Sequence, residues 1–181
     1  MLRALQTLPR FLMFLALLAV GMITAPQDVQ AQPIVGNKDF WNHGFQVQAR
    51  DDYYVSVKLG SERTTGPESG VGNGLKNFHM NDGLTQILRH GNEYNDAKVA
   101  WNWHALPGVT AEQRTDALPL VNWGGNGQRG DNKFSGSVSN GTLGFSAFYY
   151  NKENSYATVN AVKGYHFFED EFVALGSGIQ R

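Results

Sequence analysis

Tyr53-Tyr54-Val55-Ser56-Val57-Lys58-Leu59, followed by Ser61-Glu62-Arg63-Thr64-Thr65 and then Gly66-Pro67-Glu68-Ser69-Gly70, is the stretch from which the fold is read. Tyr53, Val55, Val57 and Leu59 fall on one face of the first block and Tyr54, Ser56 and Lys58 on the other, the period of a half-buried strand. The loop beyond it has little to bury. Pro67 fixes its own backbone, the glycines open positive φ, and Glu68 is held between them. Two readings stand: a rigid strand presenting a placed carboxylate, or a solvated loop with an ordinary glutamate.

Working outward, Phe45-Gln46-Val47-Gln48-Ala49 alternates and is predicted to be the first strand. The polar turn Arg50-Asp51-Asp52 joins it to the block above as an antiparallel hairpin. Residues 32–38 read as an extended lead-in to Asp39-Phe40-Trp41. On the other side, Asn81-Asp82-Gly83 marks a turn before a strand over Leu84–Leu88. If the segment around Trp101-Asn102-Trp103 is a strand, its two tryptophans share a face; Pro107-Gly108 ends it, and Thr110 with Gln113 is predicted to cap one helical turn over 111–117. Asn140-Gly141 lies between alternating runs at 134–138 and 143–150, a strong hairpin signal, and is preferred as a turn over its alternative use as an Asn-x-Thr glycan acceptor. A last strand pair turns at Glu169-Asp170. No internal repeat interrupts this series.

The 181 residues include 21 glycines, no cysteine, 12% aromatic and 17% charged residues, with a formal net charge of -1. Many turns and few helical patterns predict one all-β domain. No basic cluster is dense enough to neutralise a run of phosphates, which excludes a nucleic-acid partner. Arg3 and Arg10, the apolar run from Phe11 to Ile23 and the small residues of Val29-Gln30-Ala31 are read as a signal peptide over residues 1–31, leaving 32–181 as the exported domain. That run is short of the roughly 20 residues a membrane span requires, so no stable membrane anchor is expected.

No nucleophile motif, metal-ligand spacing or phosphate loop is present, and neither cofactor nor metal is expected. His166 beside Glu169, Asp170 and Glu171 is read as part of a solvated turn in preference to a cation site. Trp101, Trp103 and Trp123 could stack on sugar rings, with Asn126 and Arg129 bonding hydroxyls or carboxylates; packing into the core is the competing use of the same indoles.

In order along the chain, Phe40-Trp41, Val55-Ser56-Val57 into Ser61-Glu62-Arg63-Thr64, Glu68-Ser69-Gly70, Asn81-Asp82-Gly83, Trp101-Asn102-Trp103 into Leu106-Pro107-Gly108-Val109-Thr110, Phe134-Ser135-Gly136 and Phe167-Phe168-Glu169-Asp170-Glu171 resemble the central β-domain of polysaccharide lyase family 8, the chondroitin, hyaluronan and xanthan lyases. The resemblance implies an antiparallel super-sandwich of the galactose-mutarotase-like kind, here cut short at its C-terminus. It also implies a secreted protein acting on acidic polysaccharides by β-elimination. In that reaction one group neutralises the uronate carboxylate, a base removes the C5 proton, and an acid protonates the departing oxygen. Family members take those groups from an α-helical toroid that precedes the β-domain, and this chain is expected to be without one.

By the same resemblance, Glu68 matches the glutamate with which the β-domain orients the catalytic histidine. The chain departs from the pattern nearby: Val71 replaces an asparagine, and Asn73-Gly74 replaces a Glu-Asn pair. Val71 cannot bond a hydroxyl or carboxylate. The expected function is therefore a lyase β-domain that is inactive alone and completed by a toroid in trans. The alternatives are a non-catalytic carbohydrate-binding module holding hyaluronan, chondroitin or a xanthan-like chain, and a truncated fragment without function.

Overall fold

The computed structural model describes residues 34–64, 66–67, 76–121, 129–130, 132–153, 156 and 158–181, the side chains of Lys98, Lys152 and Glu153 excepted. The expected signal peptide lies outside these residues. Among the described residues eight strands form two antiparallel meanders: β1 (Gly36–Phe40), β2 (Phe45–Ala49), β3 (Tyr54–Lys58) and β4 (Leu84–Leu88) in one sheet, and β5 (Ser135–Ser139), β6 (Gly144–Glu153), β7 (Thr158–Phe167) and β8 (Phe172–Gln180) in the other. Only two short 3-10 turns, Trp41–His43 and Ala97–Val99, add helical structure among the described residues.

The alternation of β3 sets the core. Val55, Val57 and Leu59 pack with Phe148 and Tyr150 of β6 and Val159, Ala161, Tyr165 and Phe167 of β7, closing sheet on sheet. Along β7 the pattern is strict: Val159, Ala161, Lys163, Tyr165 and Phe167 are buried and the residues between them are not. Tyr165 sits between rings, stacked 6.4 Å from Phe148 and 6.2 Å from Phe172.

Away from β3 the inward face of the first sheet turns polar. Gln46 pairs with Val57 and Gln48 with Val55, so the glutamines of β2 share the valines' face and are fully buried. Gln46 Nε2 donates to Asn37 Oδ1 (2.8 Å) and to the Val138 carbonyl (3.0 Å). Asn37 Nδ2 donates to Gln48 Oε1 (2.8 Å), and Gln48 Nε2 donates to the carbonyls of Phe168 (2.8 Å) and Thr142 (3.2 Å). This ladder of buried amides ties β1 and β2 to the hairpins of the second sheet, as buried polar groups require. The hairpin at 139–142 takes the predicted form: Asn140 Oδ1 accepts from the N–H groups of Thr142 and Leu143, and Gly141 has φ 91°.

Three expectations change. The strand over 45–49 is the second, because the lead-in holds β1. The Trp101–Trp103 segment is a turn, not a strand, since Asn102 accepts the His104 N–H through Oδ1 (3.1 Å) and the Ala105 N–H through its carbonyl (2.9 Å). No helical turn forms over 111–117: Thr110 Oγ1 accepts from Lys163 Nζ (2.8 Å) instead of capping, and Arg114 pairs locally with Asp116 through two bonds of 2.9 and 2.7 Å.

Candidate functional site

The end of β3 is built as a platform for the loop that follows it. Ser61 and Thr64 form an isolated bridge, with Ser61 N donating to Thr64 Oγ1 (3.0 Å) and Arg63 N to Ser61 Oγ (3.2 Å). The lead into β5 lies against this turn. Glu62 N donates to the Asn132 carbonyl (2.8 Å), Gly130 N to the Ser61 carbonyl (3.2 Å), and the Arg63 guanidinium to the Ser135 carbonyl. A side chain at Gly130 would stand 2.8 Å from Ser61 N, so the close approach requires glycine there. Gly66 and Pro67 are half-buried beyond the turn. Glu68, the acid singled out above, lies outside the described residues.

Where the chain returns, a tight turn docks on the same strand end. Asp82 N donates to the His79 carbonyl (3.2 Å) and Gly83 N to the Lys58 carbonyl (2.9 Å). His79 Nδ1 and Asp82 Oδ2 are 2.9 Å apart, and both residues are buried. The Asp82 carboxylate is felt across the sandwich. Burial, then Asp82, pushes the phenols of Tyr150 and Tyr165 up, while burial pulls the Lys163 ammonium down against the opposing pull of Asp82. Lys163 Nζ donates to the Gly108 carbonyl (2.6 Å), which fastens the Leu106-Pro107-Gly108 segment over this end of the sandwich.

A groove of about 310 Å³ opens beside this stem, lined by Lys76, Trp101, Asn102, Trp103, His104, Ala117, Leu118 and Leu120. Its aromatic wall is assembled in series. Tyr94 accepts the Ile87 N–H of β4 (3.0 Å) through its hydroxyl and meets Trp101 edge-on at 5.8 Å; Trp101 meets Trp103 edge-on at 5.3 Å. Trp103 packs on a second apolar cluster of Phe78, Leu118, Val121 and Tyr156. Both indoles are half-buried, so each serves packing and still presents surface to the groove.

Of the other residues expected to bind substrate, Trp123 and Asn126 lie outside the described residues. Arg129 is exposed beside Gly130 at the Ser61 turn and is not in the described lining of the groove. Lys76, His104 and Leu120 were not foreseen in the sequence. His104 adjoins Trp103 in the chain but has no ligand spacing to mark it, and Lys76 and Leu120 meet the tryptophans only in the fold. Among the described residues no group of three or more acids and histidines could hold a metal ion.

A family model, the super-sandwich domain of polysaccharide lyase family 8, matches residues 35–181. The chain belongs to polysaccharide lyase family 8. It is 36% identical over 141 residues to chondroitinase-AC of Pedobacter heparinus, a match covering 77% of this chain and 19% of that protein. It is 22% identical over 161 residues to HylA, a polysaccharide lyase 8 family protein of Enterococcus faecalis, covering 88% of this chain and 11% of the relative. The chain thus spans about a fifth or less of the family 8 proteins it matches. Among solved structures, a chondroitinase AC lyase superimposes with a TM-score of 0.72 at 33% identity over 82% of this chain and 21% of its own. Xanthan lyase of Paenibacillus gives 0.69 at 26% identity over 93% and 15%. The all-β sandwich expected of family 8 from the motifs is the fold observed.

Proposed function

We propose that this chain is the central β-domain of an exported polysaccharide lyase that cleaves uronate-containing polysaccharides by β-elimination. The acid and base of the reaction belong to a toroid on another segment or polypeptide, and the chain is inactive without it. The observation that carries this reading is the match of 35–181 to the family's super-sandwich domain alone, with a likeness that spans 19% of chondroitinase-AC. Relatives named for chondroitin and xanthan support an acidic polysaccharide as substrate. The braced turn at Ser61–Thr64 and the docked turn at His79–Gly83 are consistent with this reading, since they fix the two chain segments that flank Glu68 in sequence. Glu68 on that loop is assigned the role of orienting a histidine contributed by the toroid. A carboxylate without its histidine does no acid–base work, which is why the isolated chain is assigned no turnover.

The test is to incubate the purified mature chain with hyaluronan, chondroitin sulfate and xanthan and to follow the absorbance of the unsaturated uronate product, alone and with a family 8 toroid added. No product alone, product with the toroid, and its loss in Glu68→Ala are expected. Product from the chain alone would overturn the assignment of the chemistry to the toroid, and full activity in Glu68→Ala would overturn the role of Glu68. Failure of every combination, with polysaccharide still bound, would favour the non-catalytic binding module.

A further inference from the structure

We infer that the groove between Trp101, Trp103 and Leu120 is a separate sugar subsite that reads a hexuronate unit, with Lys76 recognising its carboxylate. This rests on the acidic-polysaccharide part of the reading above and not on its lyase part.

The argument starts from the chemistry of the lining. One wall is apolar: two half-buried indoles set edge to face at 67°, with Leu118 and the side chain of Leu120, 63% exposed, beside them. An exposed leucine and two partly open indoles around one concavity offer an apolar surface that water covers poorly, and the C–H face of a pyranose fits it. The described lining supplies several hydrogen-bond donors. Lys76 is an exposed ammonium. Asn102 uses Oδ1 to accept the His104 N–H (3.1 Å), and its amide NH₂ is a further donor. His104 Nδ1 lies 3.1 Å from the Tyr156 hydroxyl; in the tautomer in which the phenol donates there, the ring hydrogen sits on Nε2 and adds a donor. No aspartate or glutamate is in the described lining.

A cavity with an apolar wall, one cation and neutral donors selects a ligand that is apolar on a face, rich in acceptors and negatively charged. A hexuronate within a polysaccharide has all three properties. A neutral hexose lacks the charge, and the relatives named for chondroitin and xanthan favour a hexuronate over an acidic peptide or a nucleotide. The volume of about 310 Å³ is at the lower end of small-molecule sites, room for a short stretch of sugar and not for a folded partner. Lysine is suited to this task as a mobile point charge that follows a carboxylate along a flexible chain. The groove is also rigid where it must be. Trp103 is set by the Phe78 cluster and Trp101 by Tyr94, so little ordering is left to binding.

The experiment is calorimetric titration of the purified chain with a hyaluronan hexasaccharide, its carboxyl-reduced counterpart and chitohexaose, at two salt concentrations. The acidic hexasaccharide is expected to bind at least about tenfold more tightly than either neutral chain. Lys76→Gln should remove most of that preference and flatten the salt dependence, and Trp101→Ala should weaken all three ligands by about tenfold or more. Lys76 is exposed, so Lys76→Gln remains informative if Trp101→Ala fails to fold. Affinity unchanged in Lys76→Gln, equal binding of the acidic and carboxyl-reduced chains, or no binding at all would overturn the subsite. Loss of toroid-dependent turnover in Glu68→Ala bears on the lyase reading alone, so the two fail separately.

Discussion

Replacing Gly83 by alanine tests how the turn at 79–83 is locked to the second sheet. Gly83 has φ +89°, and a Cβ built there collides with the Tyr165 hydroxyl while standing 3.4 Å from Phe148 Cζ. Tyr165 cannot retreat easily: it is fully buried and flanked by Phe148 and Phe172. The positive φ alone costs an alanine about 1 kcal/mol, and forcing a methyl into a closed core adds about 1–3 kcal/mol. Gly83→Ala should therefore lose about 2–4 kcal/mol in urea unfolding, or roughly 4–16 °C in Tm for a domain of this size. Removing the obstructing hydroxyl separates the two contributions. In the double variant Gly83→Ala/Tyr165→Phe the steric part is relieved, and a coupling of about 1–2 kcal/mol is expected from the cycle. A single-variant loss below about 0.5 kcal/mol, or additivity within that margin, would refute the collision as the reason for glycine at this position.

Two further changes probe the polar side of the sandwich. Gln48→Leu deprives Asn37 Nδ2 of its acceptor, whereas the Thr142 and Phe168 carbonyls keep Arg50 and Tyr53 as donors; the loss should be about 1–3 kcal/mol in chemical denaturation. A loss above that range would show that those carbonyls depend on Gln48 after all. Burial holds the Lys58 pKa down to about 8 from its ordinary 10.5, although Nζ donates to the His43 (2.6 Å) and Leu59 (3.2 Å) carbonyls. Between those values the unfolded chain binds a proton that the folded chain has released, so stability should rise with pH across that window, by about 1–2 kcal/mol after discounting for partial exposure. Lys163, also lowered, contributes in the same sense, and the raised phenols of Tyr150 and Tyr165 reverse the trend above the tyrosine range. Urea midpoints between pH 7 and 9.5 should climb less in Lys58→Met, and an undiminished climb would refute the assignment.

Much of the fold was legible because its signals are local. The alternation of Val55, Val57 and Leu59, the Asn140-Gly141 turn and the exact run Leu84–Leu88 each declare themselves within a few residues. β1 did not. Gly36-Asn37-Lys38-Asp39-Phe40 has no apolar period, and its place is set by side chains far along the sequence: Ser139 Oγ donates to the Asn37 carbonyl (2.9 Å) and Ser137 Oγ to Asp39 Oδ1. The alternation of β2 is real, but its buried side is the glutamine side, because the opposite sheet presents carbonyls there. The tryptophans read as a strand since Asn102 gives no sign, in sequence, of bending the chain. For the same reason the pair was foreseen and the cation at the groove's rim was not: aromatic residues advertise themselves in any window, while one lysine outside a cluster does not.

The amide ladder of Asn37, Gln46 and Gln48 bears on how the chain finds this arrangement. Each sheet is a meander of neighbours and can zip up from nearby residues, whereas the ladder joins partners separated by 92 to 120 positions. Apolar faces alone would tolerate one sheet sliding over the other by a residue pair. Amides buried opposite the wrong carbonyls would not, since each orphaned group is penalised by about 1–3 kcal/mol. The ladder thus fixes how one sheet seats on the other, disfavouring offset sandwiches that the hydrophobic faces by themselves would accept.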